Sequence, residues 1–227
     1  LQAAGKLIIP DDYDASALYE ITEETTARHG LQAYEVSNYA RPGQESQHNL
    51  LYWRYGEYAG VGPGAHGRII AGGHREATII ERNLEAWLAR VESDGHGIIE
   101  LATLSDGEQA DELLLMGLRL SEGVDLARLA LLGGVRPSPV VLEELTRLGL
   151  LERLTPARRT TDVNWRRNEL DEISACLGPG LSPATPYNSV SRIRVTPKGR
   201  LVLNAVVAKI SDSFEQTDRM DNLKVAG

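Results

Sequence analysis

The 227 residues carry 24 Lys and Arg against 32 Asp and Glu, a formal charge of −8. Hydrophobic residues make up 42% and charged residues 25%, an ordinary globular balance that excludes wholesale disorder and suits one large domain or two small ones. One cysteine, Cys176, excludes internal disulfides, cysteine-type zinc sites and any cysteine-ligated iron–sulfur cluster held by this chain alone.

Residues 1–150 are acidic and residues 151–200 basic. An acidic body argues against nonspecific nucleic-acid binding as the main task. No apolar run approaches the ~18 residues of a membrane span, and no basic, apolar leader opens the sequence. A cytoplasmic location without a transmembrane segment is expected. Because the sequence begins at Leu1 and not Met, a longer parent protein is expected as well.

In chain order, residues 11–30 read as a helix, with Asp12 or Asp14 as its cap and Gly30 closing it. Leu31 to Val36 reads as a buried strand, the rhythm of an α/β layer whose ligands lie at the strand ends. His48 to Tyr55 reads as a short helix. Gly72-Gly73 is a two-residue hairpin turn between Arg68–Ala71 and His74–Thr78. Residues 81–93 are amphipathic, with Leu84, Trp87, Leu88 and Val91 on one face. Gly95–Gly97 reads as a boundary. Beyond it, Ser105-Asp-Gly-Glu108 is a capping box opening a helix. Asp125–Leu132 and Ser138–Leu148 are two more helices, the last begun by Ser138-Pro139. Leu150–Leu154 and Arg192–Val195 are short strands around an irregular insert, 155–190. Thr196-Pro197 opens a last helix to about Ile210, and 211–227 reads as a polar, frayed tail. The pattern predicts an α/β part, 1–94, and a small helical, winged-helix-like part, 100–210.

Two motifs carry chemistry. In His48-Asn49-x-x-Tyr52-Trp53 a helix places His48 with Tyr52 on one face and Asn49 with Trp53 on another. A neutral imidazole ligates iron, flat aromatic rings suit a porphyrin face, and Arg41 or Arg54 can pair with propionates. The plain alternative is a helix-start histidine bonded to backbone, with Tyr and Trp filling the core. In the second motif, Gly62-x-Gly64-x-x-Gly67 matches a dinucleotide-binding pattern in letters only. Pro63 removes an amide donor, and a hairpin follows where a phosphate-binding helix belongs. The reading kept is a bare backbone that a planar ligand can approach, set against an ordinary tight turn with His66 solvated. His29, His74 and His96 read as surface residues, and Cys176 as an incidental thiol. A DNA-binding role for the winged part is opposed by Glu143 and Glu144 on its would-be recognition helix, although Arg158, Arg159, Arg166 and Arg167 lie in the insert.

Three blocks then resemble the radical SAM heme chaperone family HemW, also described as oxygen-independent coproporphyrinogen III oxidase-like. They are Tyr34-Glu-Val-Ser-Asn-Tyr-Ala-Arg-Pro-Gly43, His48-Asn-Leu-Leu-Tyr-Trp53 and Tyr58-Ala-Gly-Val-Gly-Pro-Gly-Ala-His-Gly67. Glu112–Gly123 and Thr196–Asn204 resemble its C-terminal domain, and Gly5–Asp12 its mid-chain. The resemblance implies an α/β fold: the end of a partial (β/α)6 barrel over 1–94, a small C-terminal domain over 100–210 and a tail, 211–227. It implies heme binding by His48, Asn49, Tyr52 and Trp53, with His48 on the iron. It implies that Gly62, Gly64, Ala65 and His66 face S-adenosylmethionine. The family's [4Fe–4S] cluster is held by three cysteines that this sequence lacks. The expected role is that of a C-terminal fragment that binds heme and passes it to an acceptor protein. The alternatives are oxidative decarboxylation of coproporphyrinogen III and the nucleic-acid module. A truncated barrel also leads us to expect self-association.

Overall fold

The computed structural model describes residues 9–154 and 192–217. The insert, Cys176, the four arginines 158, 159, 166 and 167, and residues 218–227 lie outside the described residues.

Helix α1 spans Asp12–Arg28, and its first turn is capped by the Asp11 side chain, which accepts from the Asp14 N–H, not by Asp12 or Asp14. Gly30 follows at φ 76°, a left-handed turn that glycine takes without steric cost. The expected strand Leu31–Val36 is not formed. Only Gln32–Ala33 (β1) is extended, paired antiparallel with Tyr39–Ala40 (β2). A parallel strand needs a neighbour brought by a crossover connection, whereas this one folds onto its own return segment. Every ladder among the described residues is antiparallel.

Helix α2, Gln47–Trp53, is capped by Ser46, whose side chain accepts from the Asn49 N–H. The hairpin forms as expected: β3 is His66–Ala71 and β4 is His74–Ile80. Helix α3, Leu84–Asp94, is capped by Asn83. Strand β5, Ile98–Thr103, adds to β4 with a register shift at Ile79/Ile80. The hairpin's sheet therefore continues through the residues read as a boundary.

Helix α4, Asp106–Gly117, starts with both halves of the Ser105/Glu108 capping box in place. Strand β6 (Val124–Asp125), helix α5 (Leu126–Gly133), strand β7 (Val135–Pro137) and helix α6 (Pro139–Arg147) follow. Ser138 makes no side-chain cap bond, so Pro139, pre-set for the first helical position, starts α6. Strands β8 (Leu151–Leu154) and β9 (Arg192–Val195) join β6 in the order β6-β9-β8. The single last helix expected after Thr196 is two, α7 (Pro197–Arg200) and α8 (Leu203–Ser211), separated at Val202, whose backbone is not helical (φ −124°). The tail is ordered further than its polarity suggested, because β10 (Phe214–Gln216) pairs with β7.

One core gathers Leu113, Leu114 and Leu118 of the α4 region with Leu129, Leu145, Leu151, Ile193, Val206 and Ile210. Among the described residues before α4, Tyr55 joins this buried cluster, with Val36, Tyr52 and Trp53 against its edge. The apolar faces of α1 and of the β3–β4–β5 sheet lie outside it: Leu18 and Ile21 are more than half exposed, and so is Leu101.

Candidate functional site

The two motifs lie on either side of Tyr55. On α2, His48 is exposed, Asn49, Tyr52 and Trp53 are half-buried, and Leu50 is buried. The spacing is realised as read. Asn49 turns inward and its Nδ2 donates to Tyr34 Oη at 3.1 Å. Tyr52 meets Trp53 edge-on at 4.8 Å between ring centroids and tilts against Tyr58 at 5.2 Å. Burial raises the Tyr58 phenol, helped by its neighbour Tyr52. The aromatic residues thus pack mainly on protein, while the imidazole stands in solvent.

Tyr55, just after the helix, is fully buried and has φ 57°. A bulky side chain rarely adopts that conformation, and it persists only where surroundings over-determine it. Here Arg128 donates to the carbonyl oxygens of both Arg54 and Tyr55, and the Arg75 guanidinium covers the Tyr55 ring at 4.2 Å. Burial, with Glu112 nearby, pushes the Tyr55 phenol well above its ordinary value, so it stays neutral. Arg54, read as a propionate partner, is held by Glu122 through two hydrogen bonds of 2.9 and 2.7 Å. Arg41 is exposed.

The glycine loop is shaped by its own fold. A Cβ on Gly67 would lie 2.4 Å from Thr78 Oγ1, and one on Gly60 2.6 Å from the His66 carbonyl oxygen. The Gly64 N–H donates to the Glu81 carbonyl at 2.8 Å, the Ala65 N–H to that of Gly62 at 3.2 Å, and the Ala65 carbonyl accepts from Ile80 at 2.9 Å. The loop thus extends the hairpin ladder. It would offer a ligand its backbone surface and the exposed His66 imidazole, not the amides of Gly64 or Ala65. Beside it is a cavity of about 270 Å³ lined by Val61, Gly62, Thr78, Ile80, Trp87 and His96. Trp87, read as one stripe of an amphipathic helix, faces this cavity.

Sequence reasoning missed Tyr34, Glu35 and Arg119. Glu35 is fully buried, and its Oε1 accepts from the Ser37 N–H, the Ser37 hydroxyl and Asn38 Nδ2. Burial alone would raise it, but those hydrogen bonds and the Arg119 charge outweigh burial and hold it below the ordinary carboxylate range. Arg119 lies just beyond the C-cap of α4, so no local spacing announces it. Among the described residues, no group of three or more His, Cys, Asp or Glu could hold a metal ion, and no helix is long and apolar enough to cross a membrane.

A mixed α/β architecture with this arrangement has a solved counterpart. Coproporphyrinogen III oxidase (HemN) from Escherichia coli, a radical SAM enzyme, matches with a TM-score of 0.50 and 14% identity, over 85% of this chain and 39% of that one. The likeness shows the fold alone. The profile of the HemN C-terminal domain matches residues 104–155. The heme chaperone HemW of Bacillus subtilis is 35% identical over 156 residues, 66% of this chain and 40% of that protein. HemW of Escherichia coli is 45% identical over 62 residues, 27% of this chain and 16% of that protein. A mitochondrial radical S-adenosyl methionine domain-containing protein 1 from Bos taurus is 44% identical over 124 residues, 53% of this chain and 28% of that protein. The chain spans well under half the length of these relatives. Together the matches support a relationship to the C-terminal portion of the HemW/HemN-like radical SAM family.

Proposed function

We propose that this chain supplies the heme-facing part of a HemW-type chaperone, with His48 as ligand to the iron of heme bound as cargo and passed to an acceptor protein. The observation that carries the reading is His48-Asn49-x-x-Tyr52-Trp53 set on one short helix, its imidazole exposed and its neighbours anchored. An anchored helix fixes the ligand's direction, and an exposed imidazole can reach a large planar cargo and release it again. The chaperone names of the bacterial relatives favour this over oxidative decarboxylation.

In this proposal residues 100–210 form the winged-helix-like C-terminal domain, and residues 1–94 are the end of the barrel. Gly62, Gly64, Ala65 and His66 would face S-adenosylmethionine, which supplies radical chemistry in such proteins when a [4Fe–4S] cluster is bound. With a single cysteine these residues cannot hold that cluster by three thiolates, so no reaction step is assigned to them. A cytoplasmic location is part of the proposal. The test is a hemin titration of the wild type and His48→Ala followed in the Soret band. Loss of the imidazole should weaken binding and change the band's position. Equal binding with equal spectra would remove His48 as ligand.

A further inference from the structure

We infer that Arg119 and Glu35 are positioning residues for α2, holding Trp53 in place from outside the motif. Their purpose rests on the heme reading above, whereas their geometry stands without it. The Arg119 guanidinium lies 4.4 Å over the Trp53 ring. Its Nη2 is 3.6 Å from Glu35 Oε2, on a side chain with no exposed surface. That oxygen is buried and has no hydrogen-bond partner of its own. A buried carboxylate persists only where its charge is compensated, and Arg119 provides compensation. One planar cation thus serves an indole face and a buried anion together. Arginine does this better than lysine, because its flat face stacks while its N–H edge reaches sideways.

The residues after Arg119 work in the same direction. Ser121 gives both its N–H and its hydroxyl to the Tyr34 carbonyl, at 3.0 and 3.2 Å. Tyr34 Oη in turn receives Asn49 of the motif. Glu122 fixes Arg54 at the end of α2. Segment 119–122, following α4, therefore reaches α2 through the Glu35 turn, through Tyr34 and through Arg54. One face of Trp53 is covered by Arg119, so Trp53 orients the helix on that side while His48 remains outward.

The experiment uses the full 227-residue chain carrying Trp87→Phe and Trp165→Phe, so that emission reports Trp53. Arg119→Gln and Glu35→Gln should red-shift Trp53 emission and raise its quenching by acrylamide. Arg119→Gln should weaken hemin binding about three- to tenfold, and Arg119→Lys should recover part of both effects. Leu145→Ala, in the core on α6, which packs on β8 and α8, should leave emission and hemin affinity unchanged, separating positioning from general loss of stability. If Arg119→Gln does not fold by circular dichroism, Arg119→Lys and Glu35→Gln decide. Native emission and quenching in folded Arg119→Gln or Glu35→Gln overturns the inference. So does altered emission with unchanged hemin affinity. If the wild type binds no hemin, the heme reading falls by itself, and emission alone decides whether the pair holds Trp53.

Discussion

Replacing Glu112 by glutamine tests how the sheet is fastened to the helical core. Arg68 of β3 meets Glu112 of α4 with its Nε at 3.2 and 3.0 Å from the two carboxylate oxygens and its Nη2 at 2.6 Å. The two side chains are only 16% and 22% exposed, so solvent screens the pair weakly. The sheet itself buries little apolar surface, with Ile80 its one buried large aliphatic, and this contact carries a correspondingly large share of its attachment. Glu112→Gln keeps the shape and removes the charge facing Arg68. A charge-assisted hydrogen bond of this kind is worth about 2 kcal/mol. For a chain of this size that corresponds to a Tm lower by roughly 4–8 °C. Burial alone would raise the Glu112 pKa, but hydrogen bonds from Arg68 and the charges of Arg68 and Arg75 hold it below the ordinary range. A depressed folded-state pKa stabilises the fold above the unfolded pKa, and that contribution is lost as pH falls through the folded value. The difference between wild type and Glu112→Gln in urea unfolding should therefore be full at neutral pH and shrink below about pH 4. No loss at neutral pH, or a difference that persists undiminished in acid, refutes the reasoning.

Three further outcomes are expected. Gly67→Ala puts a methyl against Thr78 and the Gly60 nitrogen, at 2.4 and 2.8 Å, and should cost about 2 kcal/mol or more in chemical denaturation. Leu114→Ala, at a fully buried position, should cost about 3–4 kcal/mol, whereas Leu88→Ala on half-exposed α3 should stay within about 1 kcal/mol; equal losses would mean the core is misplaced. The open apolar face of α1, with Leu18 and Ile21, should make the chain self-associate in sedimentation velocity as concentration rises, and Ile21→Glu should reduce this; a monomer throughout for both proteins would contradict it.

Helix α1, the Gly72-Gly73 hairpin, the Ser105/Glu108 box and the Pro139 start were legible because each depends on chemistry within a few residues. The Leu31–Val36 strand was misread for the converse reason. An apolar run says that burial is available, not which neighbour provides it, and here the chain turns at Ser37 and Asn38 around the buried Glu35 carboxylate. The split of the last helix at Val202 and the pairing of Phe214–Gln216 with β7 were likewise decided by distant partners.

The sequence by itself determined that His48, Asn49, Tyr52 and Trp53 share a short helix and that a glycine loop precedes a hairpin, since periodicity and turn stereochemistry are local. Only the tertiary structure decided which of those side chains face protein and which face water. Asn49 and Trp53 turn in toward Tyr34 and Arg119, the loop amides of Gly64 and Ala65 are bonded internally, and His48 is left outside. Burial and charge pairing depend on groups far apart in the chain, and no local pattern encodes which of them will meet.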